Sequence, residues 1–201
     1  TEGTSGAATL SDDTLNIPQY SGGGSDVISN YGTYKCSGTT TTSTTTGEAS
    51  AVVIPFDSDL ITSASTSIVL YDGEGPGSIE NAGHSWKLGD SGYYEISWTV
   101  GTNTNLVNNR ILSGVKLQYG TSEGESIGWV DYSPTHCYIY DRGNGSIRKG
   151  STSGSTMYKN VASADNPVYF RLVIWKEAAS NASMNSITLV NACSLMIKQL
   201  Q

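Results

Sequence analysis

Charge is scarce in this 201-residue chain: only 14% of residues carry it, and no run of Lys or Arg appears within a formal net charge of −7. A phosphate backbone finds no basic footprint here, which argues against a nucleic-acid partner. The N-terminus carries Glu2, Asp12 and Asp13 in place of the basic arm with which a coat protein packages a genome. Long apolar runs are also missing. Nothing approaches the roughly 18 residues of a membrane-crossing helix, and residues 1–20 lack the charged start and apolar centre of a secretory signal. No membrane insertion is expected. The sequence begins with Thr1, which suggests processing, trimming or a fragment of something longer.

Cysteine is sparse and odd in number: Cys36, Cys137 and Cys193 show no C-x-x-C spacing. That predicts free, mostly buried thiols acting as small apolar groups, with a single bridge left open. His84 and His136 are the only histidines, and neither stands at a metal-ligand spacing, so no metal is expected. The loop "GEGPG" (73–77) lacks the Lys-Ser/Thr ending that grips a phosphate, and no G-x-S-x-G elbow occurs. No cofactor and no catalytic residue is therefore expected, and the chain is not expected to be an enzyme. The acid pairs Asp12–Asp13 and Glu123 with Glu125 read as solvated turns; a weak calcium site or a glycosidase pair is the lesser alternative.

What the chain does have is Gly, Ser and Thr, with short alternating apolar runs. In "GDSGYYEISWTV" (89–100), Tyr94, Ile96, Trp98 and Val100 share one parity, and Tyr93, Glu95, Ser97 and Thr99 the other. This period of two is that of a half-buried strand. The same pattern recurs at Val115, Leu117 and Tyr119, at Cys137 and Ile139, at Phe170, Leu172 and Ile174, and at Cys193, Leu195 and Ile197. "ASAVVIPF" offers Val52, Ile54 and Phe56, whereas the polar stretch 176–185 reads as a loop. Many short strands without a helical stripe predict an all-β, antiparallel β-sandwich, with the jelly roll as leading topology.

The expected organisation is an N-terminal anchor at 1–35, a Thr-rich linker at 36–50 and a knob at 51–201. In the anchor, Leu10 and Leu15 flank the turn-like Ser11-Asp12-Asp13-Thr14, which predicts a small hairpin. A lone two-stranded hairpin is marginal in water, so it requires a partner surface. The 12 Tyr and 4 Trp against 2 Phe suit rings buried on one side and wet on the other. Core and interface packing is the first reading of them. A sugar site at Trp129 and Tyr132, with Glu123 and Glu125 beside it, is the second.

The segments "GDSGYYEISWTV", "YFRLVIW" (169–175) and "SLMIKQL" (194–200) resemble the trimeric jelly roll of the complement globular head and tumour necrosis factor group. That resemblance implies a homotrimer whose chain ends inside a sheet near the trimer axis. The opening "TSGAATLSDDTLNIPQY" (4–20) is similar to the "TSG-x-ATL…LNIP-x-Y" segment of bacteriophage head-fibre, tail-fibre and other virion surface proteins. It implies a virion location, with Leu10, Leu15, Ile17, Pro18 and Tyr20 serving assembly with other virion proteins. The combined expectation is a non-enzymatic, trimeric head-fibre or decoration protein that binds the capsid and displays a knob. The alternatives are a tail-fibre knob recognising host surface glycans and a secreted carbohydrate-binding lectin.

Overall fold

The structure is a computed structural model; it describes residues 9–11, 14–16, 28–36, 40–43, 47–56, 58–62, 68–71, 84–103, 110–123, 126–133, 135–142, 149–161, 168–177, 186–189 and 193–200. Its strands are β1 (Thr9–Ser11), β2 (Thr14–Asn16), β3 (Ile28–Lys35), β4 (Thr40–Ser43), β5 (Val52–Val53), β6 (Ser58–Thr62), β7 (Ile68–Tyr71), β8 (Ser85–Leu88) and β9 (Gly92–Asn103). They continue as β10 (Arg110–Glu123), β11 (Ser126–Ile127), β12 (Val130–Asp131), β13 (Cys137–Arg142), β14 (Lys149–Asn160), β15 (Val168–Lys176), β16 (Ser186–Leu189) and β17 (Ser194–Leu200). A 3-10 turn, Glu48–Ser50, precedes β5.

Strands β1 and β2 pair with each other as a separate two-stranded antiparallel sheet, Leu10 opposite Leu15. The hairpin expected near the N-terminus is present. Ile17, Pro18 and Tyr20 lie outside the described residues.

The remaining strands build two antiparallel sheets. The 8-stranded front sheet runs β11-β10-β15-β8-β7, with β12 and β13 also on β10 and β5 on β15. The 7-stranded back sheet runs β4-β16-β9-β17-β3-β6, with β14 along β9. Period-two patterning then makes the sandwich. Tyr94, Ile96, Trp98 and Val100 of β9 and Leu195 and Ile197 of β17 point inward, against Val115, Leu117, Phe170, Leu172 and Ile174 of the front sheet. Trp86 fills the middle, edge-on to Phe56 at 5.3 Å and tilted against Tyr34 at 5.8 Å. Each such ring removed from water stabilises the fold by roughly 1.5–3 kcal/mol. The fold is the jelly-roll sandwich that the sequence pattern predicts.

The sandwich begins well before position 51. Strand β3 pairs with β17 on one side and β6 on the other, and Tyr34 and Cys36 sit in the core. Ile28–Lys35, expected within the anchor, is a strand of the sandwich. The Thr-rich run expected as a linker contains β4, paired to β16. β-Branched Thr fits a pleated backbone well, and β3 is held by pairing along both edges together with the buried ring of Tyr34. Ile54 and Phe56 are buried as expected, although only Val52–Val53 forms a strand. Cys36, Cys137 and Cys193 are free thiols, the first and last buried. Of the loop expected at 176–185, residues 178–185 lie outside the described residues.

Strand β15 departs from simple alternation, since almost every residue along it is buried. Its inward face supplies the core, and its outward face is covered from above. There Tyr169 packs with Ile127 and Trp129. Trp175 lies across Gly114 of β10, where a Cβ atom would stand 2.1 Å from the indole. This cover over the front sheet builds the candidate site.

Candidate functional site

Two short segments are fastened over the outward face of β10 and β15. The first is the turn Glu48–Ser50, held at its start by Gly47 N donating to Lys176 O (2.8 Å) and at its exit by Ile54 N donating to Leu172 O (2.9 Å). Gly47 has φ of +106°, a conformation side chains rarely permit. The second is the stretch 130–136. Tyr132 N donates to Leu117 O at 2.9 Å, and Leu117 N donates to Thr135 Oγ1 at 3.1 Å. Clamped at these points, the segments hang Glu48, Asp131 and His136 over Lys116.

Lys116 is the centre of the polar group. Its side chain is only 5% exposed, and its ammonium donates to Glu48 Oε1 at 2.5 Å and Asp131 Oδ2 at 2.6 Å. The Trp175 ring lies 5.4 Å away. His136 Nε2 stands 3.1 Å from Glu48 Oε1, and its ring meets Trp175 edge-on at 5.7 Å. Hydrogen bonds from Lys116, then His136, hold the Glu48 carboxyl below the usual range. Burial pushes Asp131 up, but donors from Lys116 and Gln118 outweigh it and the carboxyl ends low. Burial likewise disfavours the charged Lys116, yet its two carboxylate partners keep its pKa raised. The cluster is an ion triad with its cation innermost.

Glu48, Asp131 and His136 each bring one ligand atom to within 4.8 Å of the others. Their centre, however, is already served by the Lys116 ammonium. A divalent ion there would meet the like charge of the Lys116 ammonium, which both carboxylates already hold as their counter-ion.

Arg171 has a different environment. Nε donates to Gln118 Oε1 at 2.9 Å, and the guanidinium lies over the Trp129 ring at 4.1 Å from its centroid. Among the described residues no carboxylate pairs with it. Burial alone pulls its pKa down to about 10, the signature of a cation that has lost water without gaining an anion. Arg171, Gln118, Lys116, Asp131, Glu48, Ala49 and Ala51 line an open pocket of about 500 Å³.

Of the residues expected to bind sugar, Trp129 and Tyr132 pack in different groups. Trp129 stands behind Arg171, whose guanidinium covers a face of its ring. Tyr132 turns the other way, into a group with Tyr119, Tyr158 and Phe170, and donates its hydroxyl to Met157 O at 2.9 Å. Glu123 ends β10, and Glu125 is outside the described residues. Lys116, Gln118, Arg171, Glu48, Asp131 and His136 were missed. The available signal was a lone Arg inside "YFRLVIW", a position where an unpaired charge is expensive.

No known protein family matches the chain, and no curated protein matches it. Solved structures do. The crystal structure of murine APRIL at pH 5.0 superposes with a TM-score of 0.50 at 9% identity, over 85% of this chain and 98% of that one. The PRD1 vertex protein P5 gives 0.42 at 12% identity, over 87% and 99%. The globular domain of zebrafish complement 1qA protein gives 0.40 at 9% identity, over 86% and 97%. The likeness to murine APRIL is one of fold.

Proposed function

We propose that the chain is a non-enzymatic structural protein of the outer surface of a bacteriophage virion, a head-fibre or decoration protein that binds the capsid through its N-terminal segment and displays the sandwich as a knob. One observation carries the reading. The hairpin β1–β2 forms a sheet of its own, while every other described strand belongs to the sandwich. A sheet of two short strands lacks the area to stabilise itself, so its register and apolar positions make sense against a partner. Its sequence is the segment that resembles those of virion surface proteins. Glu48 and Asp131 are neutralised by Lys116, and His136 meets Glu48, a pairing of the ionisable groups that favours binding over catalysis.

The knob assembles as a homotrimer in this reading. Strand β17 lies between β3 and β9 at the middle of the back sheet. The outward face of this sheet exposes Tyr31 (39%) and Tyr93 (52%) on the strands beside β17 and Met157 (49%) on β14, around a 3.0 Å pair between Lys198 and Glu95. Rings and a thioether exposed together around a partly buried ion pair suit an interface between copies. Sedimentation of the full chain and of a form lacking residues 1–27 tests both parts, together with co-sedimentation on purified particles. The expected result is a trimer in both forms, with particle binding lost in the shorter one. Binding retained without the hairpin overturns the anchor, and a monomer in both forms overturns the trimer.

A further inference from the structure

The pocket beneath the turn Glu48–Ser50 holds two cations in unlike states. Lys116 is satisfied twice over, by Glu48 and Asp131. Arg171, in the same pocket, has a single hydrogen bond from Nε to Gln118 and a stacking contact with Trp129. Among the described residues, neither of its Nη atoms has a hydrogen-bond partner. Those atoms carry most of the donors of the guanidinium fork, and the fork matches a carboxylate, whose two oxygens accept in parallel. Trp129 fixes the plane of the fork from one side and Gln118 fixes its rotation. Such a group is preorganised for an anion before one arrives.

The rest of the lining narrows the ligand. A carboxylate alone would leave most of the roughly 500 Å³ empty. The spare lone pairs of Asp131 and Glu48 accept hydroxyls, Gln118 supplies an amide, and Ala49 and Ala51 offer two methyl groups without bulk. Hydroxyls beside a carboxylate on a small ring meet all of these demands. The volume lies within the usual range for a small-molecule site. With a net charge of −7 the chain as a whole repels anions, so affinity must come from contact at Arg171 and not from long-range steering.

We infer that this pocket binds an acidic sugar, with the Arg171 guanidinium taking its carboxylate and Asp131, Glu48 and Gln118 its hydroxyls. The site stands apart from the proposed anchor: loss of sugar binding leaves particle attachment untouched, and loss of attachment leaves the pocket untouched.

The test is saturation-transfer NMR and calorimetric titration of the full chain with glucuronate, methyl glucoside and acetate. Glucuronate is expected to bind at least tenfold tighter than either of the others. Arg171→Gln should weaken it at least tenfold, and Arg171→Lys should do so nearly as much, because Lys keeps the charge and loses the fork. If Arg171 variants fail to fold, Ala49→Trp on the exposed turn fills the pocket with Arg171 intact and should also abolish binding. Equal affinity for glucuronate and methyl glucoside overturns the role of Arg171. Equal affinity for glucuronate and acetate overturns the sugar. No binding of glucuronate at tens of millimolar, or binding unchanged in folded Arg171→Gln or Ala49→Trp, overturns the site.

Discussion

Thr102 on β9 donates a hydrogen bond to Oδ2 of Asp141 on β13, joining the two sheets at their edge, while Oδ1 has no partner among the described residues. The carboxyl is buried, and the chain passes so close at Gly150 that a Cβ there would strike it. Burial therefore raises the Asp141 pKa, against the lowering effect of the Thr102 hydroxyl.

A raised folded pKa fixes the sign of a pH effect. The neutral form is favoured in the fold, so its contribution is complete below the unfolded value of roughly 3.9 and is lost as pH rises through the folded value. Asp141→Asn keeps the shape and removes the ionisation. Its thermal midpoint should exceed that of the wild type by about 2–4 °C at pH 7, and the difference should vanish near pH 3. A variant that is less stable at pH 7 would mean that the carboxylate is paired after all.

Lys116 works in the opposite sense. Its donors depress Glu48 and Asp131, so their added stability is present above the ordinary carboxylate range and lost as pH falls through their folded values. Lys116→Met should cost about 1–3 kcal/mol at pH 7, less than a fully buried pair because both carboxylates can rehydrate. It should also flatten the acid limb between about pH 5 and 2 in urea unfolding. An unchanged acid limb would show that the depression lies elsewhere.

Gly114→Ala tests the close approach of Trp175. With a Cβ placed 2.1 Å from the ring and the indole anchored by a 2.7 Å bond from Nε1 to Glu177 Oε1, the ring has little room to retreat. Overpacking of this kind costs about 1–3 kcal/mol. Tryptophan fluorescence should shift as the ring is displaced, and a silent substitution would show a looser cover than the contacts indicate.

Tyr34→Ala and Leu10→Ala together locate the start of the knob. Tyr34 is fully buried against Trp86, so its loss should cost about 3–5 kcal/mol. Leu10, in the separate hairpin, should leave the unfolding midpoint of the knob unchanged. Equal effects would join the hairpin to the sandwich.

The legible parts of the sequence were the strands with three or more apolar residues in phase. β9 and β17 could be read from Tyr94 to Val100 and from Cys193 to Ile197, because each has one wet face and one dry face. β3 could not: "ISNYGTYK" places a single ring, Tyr34, in the core, with Gly32 tucked beneath it. The front-sheet pocket was half legible. Lys116 and Gln118 occupy the polar parity of "GVKLQYG", and Arg171 interrupts an apolar strand. Glu48 reaches Lys116 from 68 residues upstream, a proximity that only the assembled sheets create. Trp129 and Tyr132 were read as one platform from their nearness in sequence, yet the chain turns them to opposite sides of the front sheet.

The position of β17 has a consequence for biosynthesis. Ser194–Leu200 inserts between β3 and β9 in the back sheet, so β3 must wait for a strand far downstream of it to be synthesised before its pairing is complete. Pairing over so long a stretch of chain makes for slow folding, with open strand edges in the meantime. Under the proposed anchoring role, the β1–β2 hairpin, made before these strands, would be free to meet its partner while the sandwich is still unclosed.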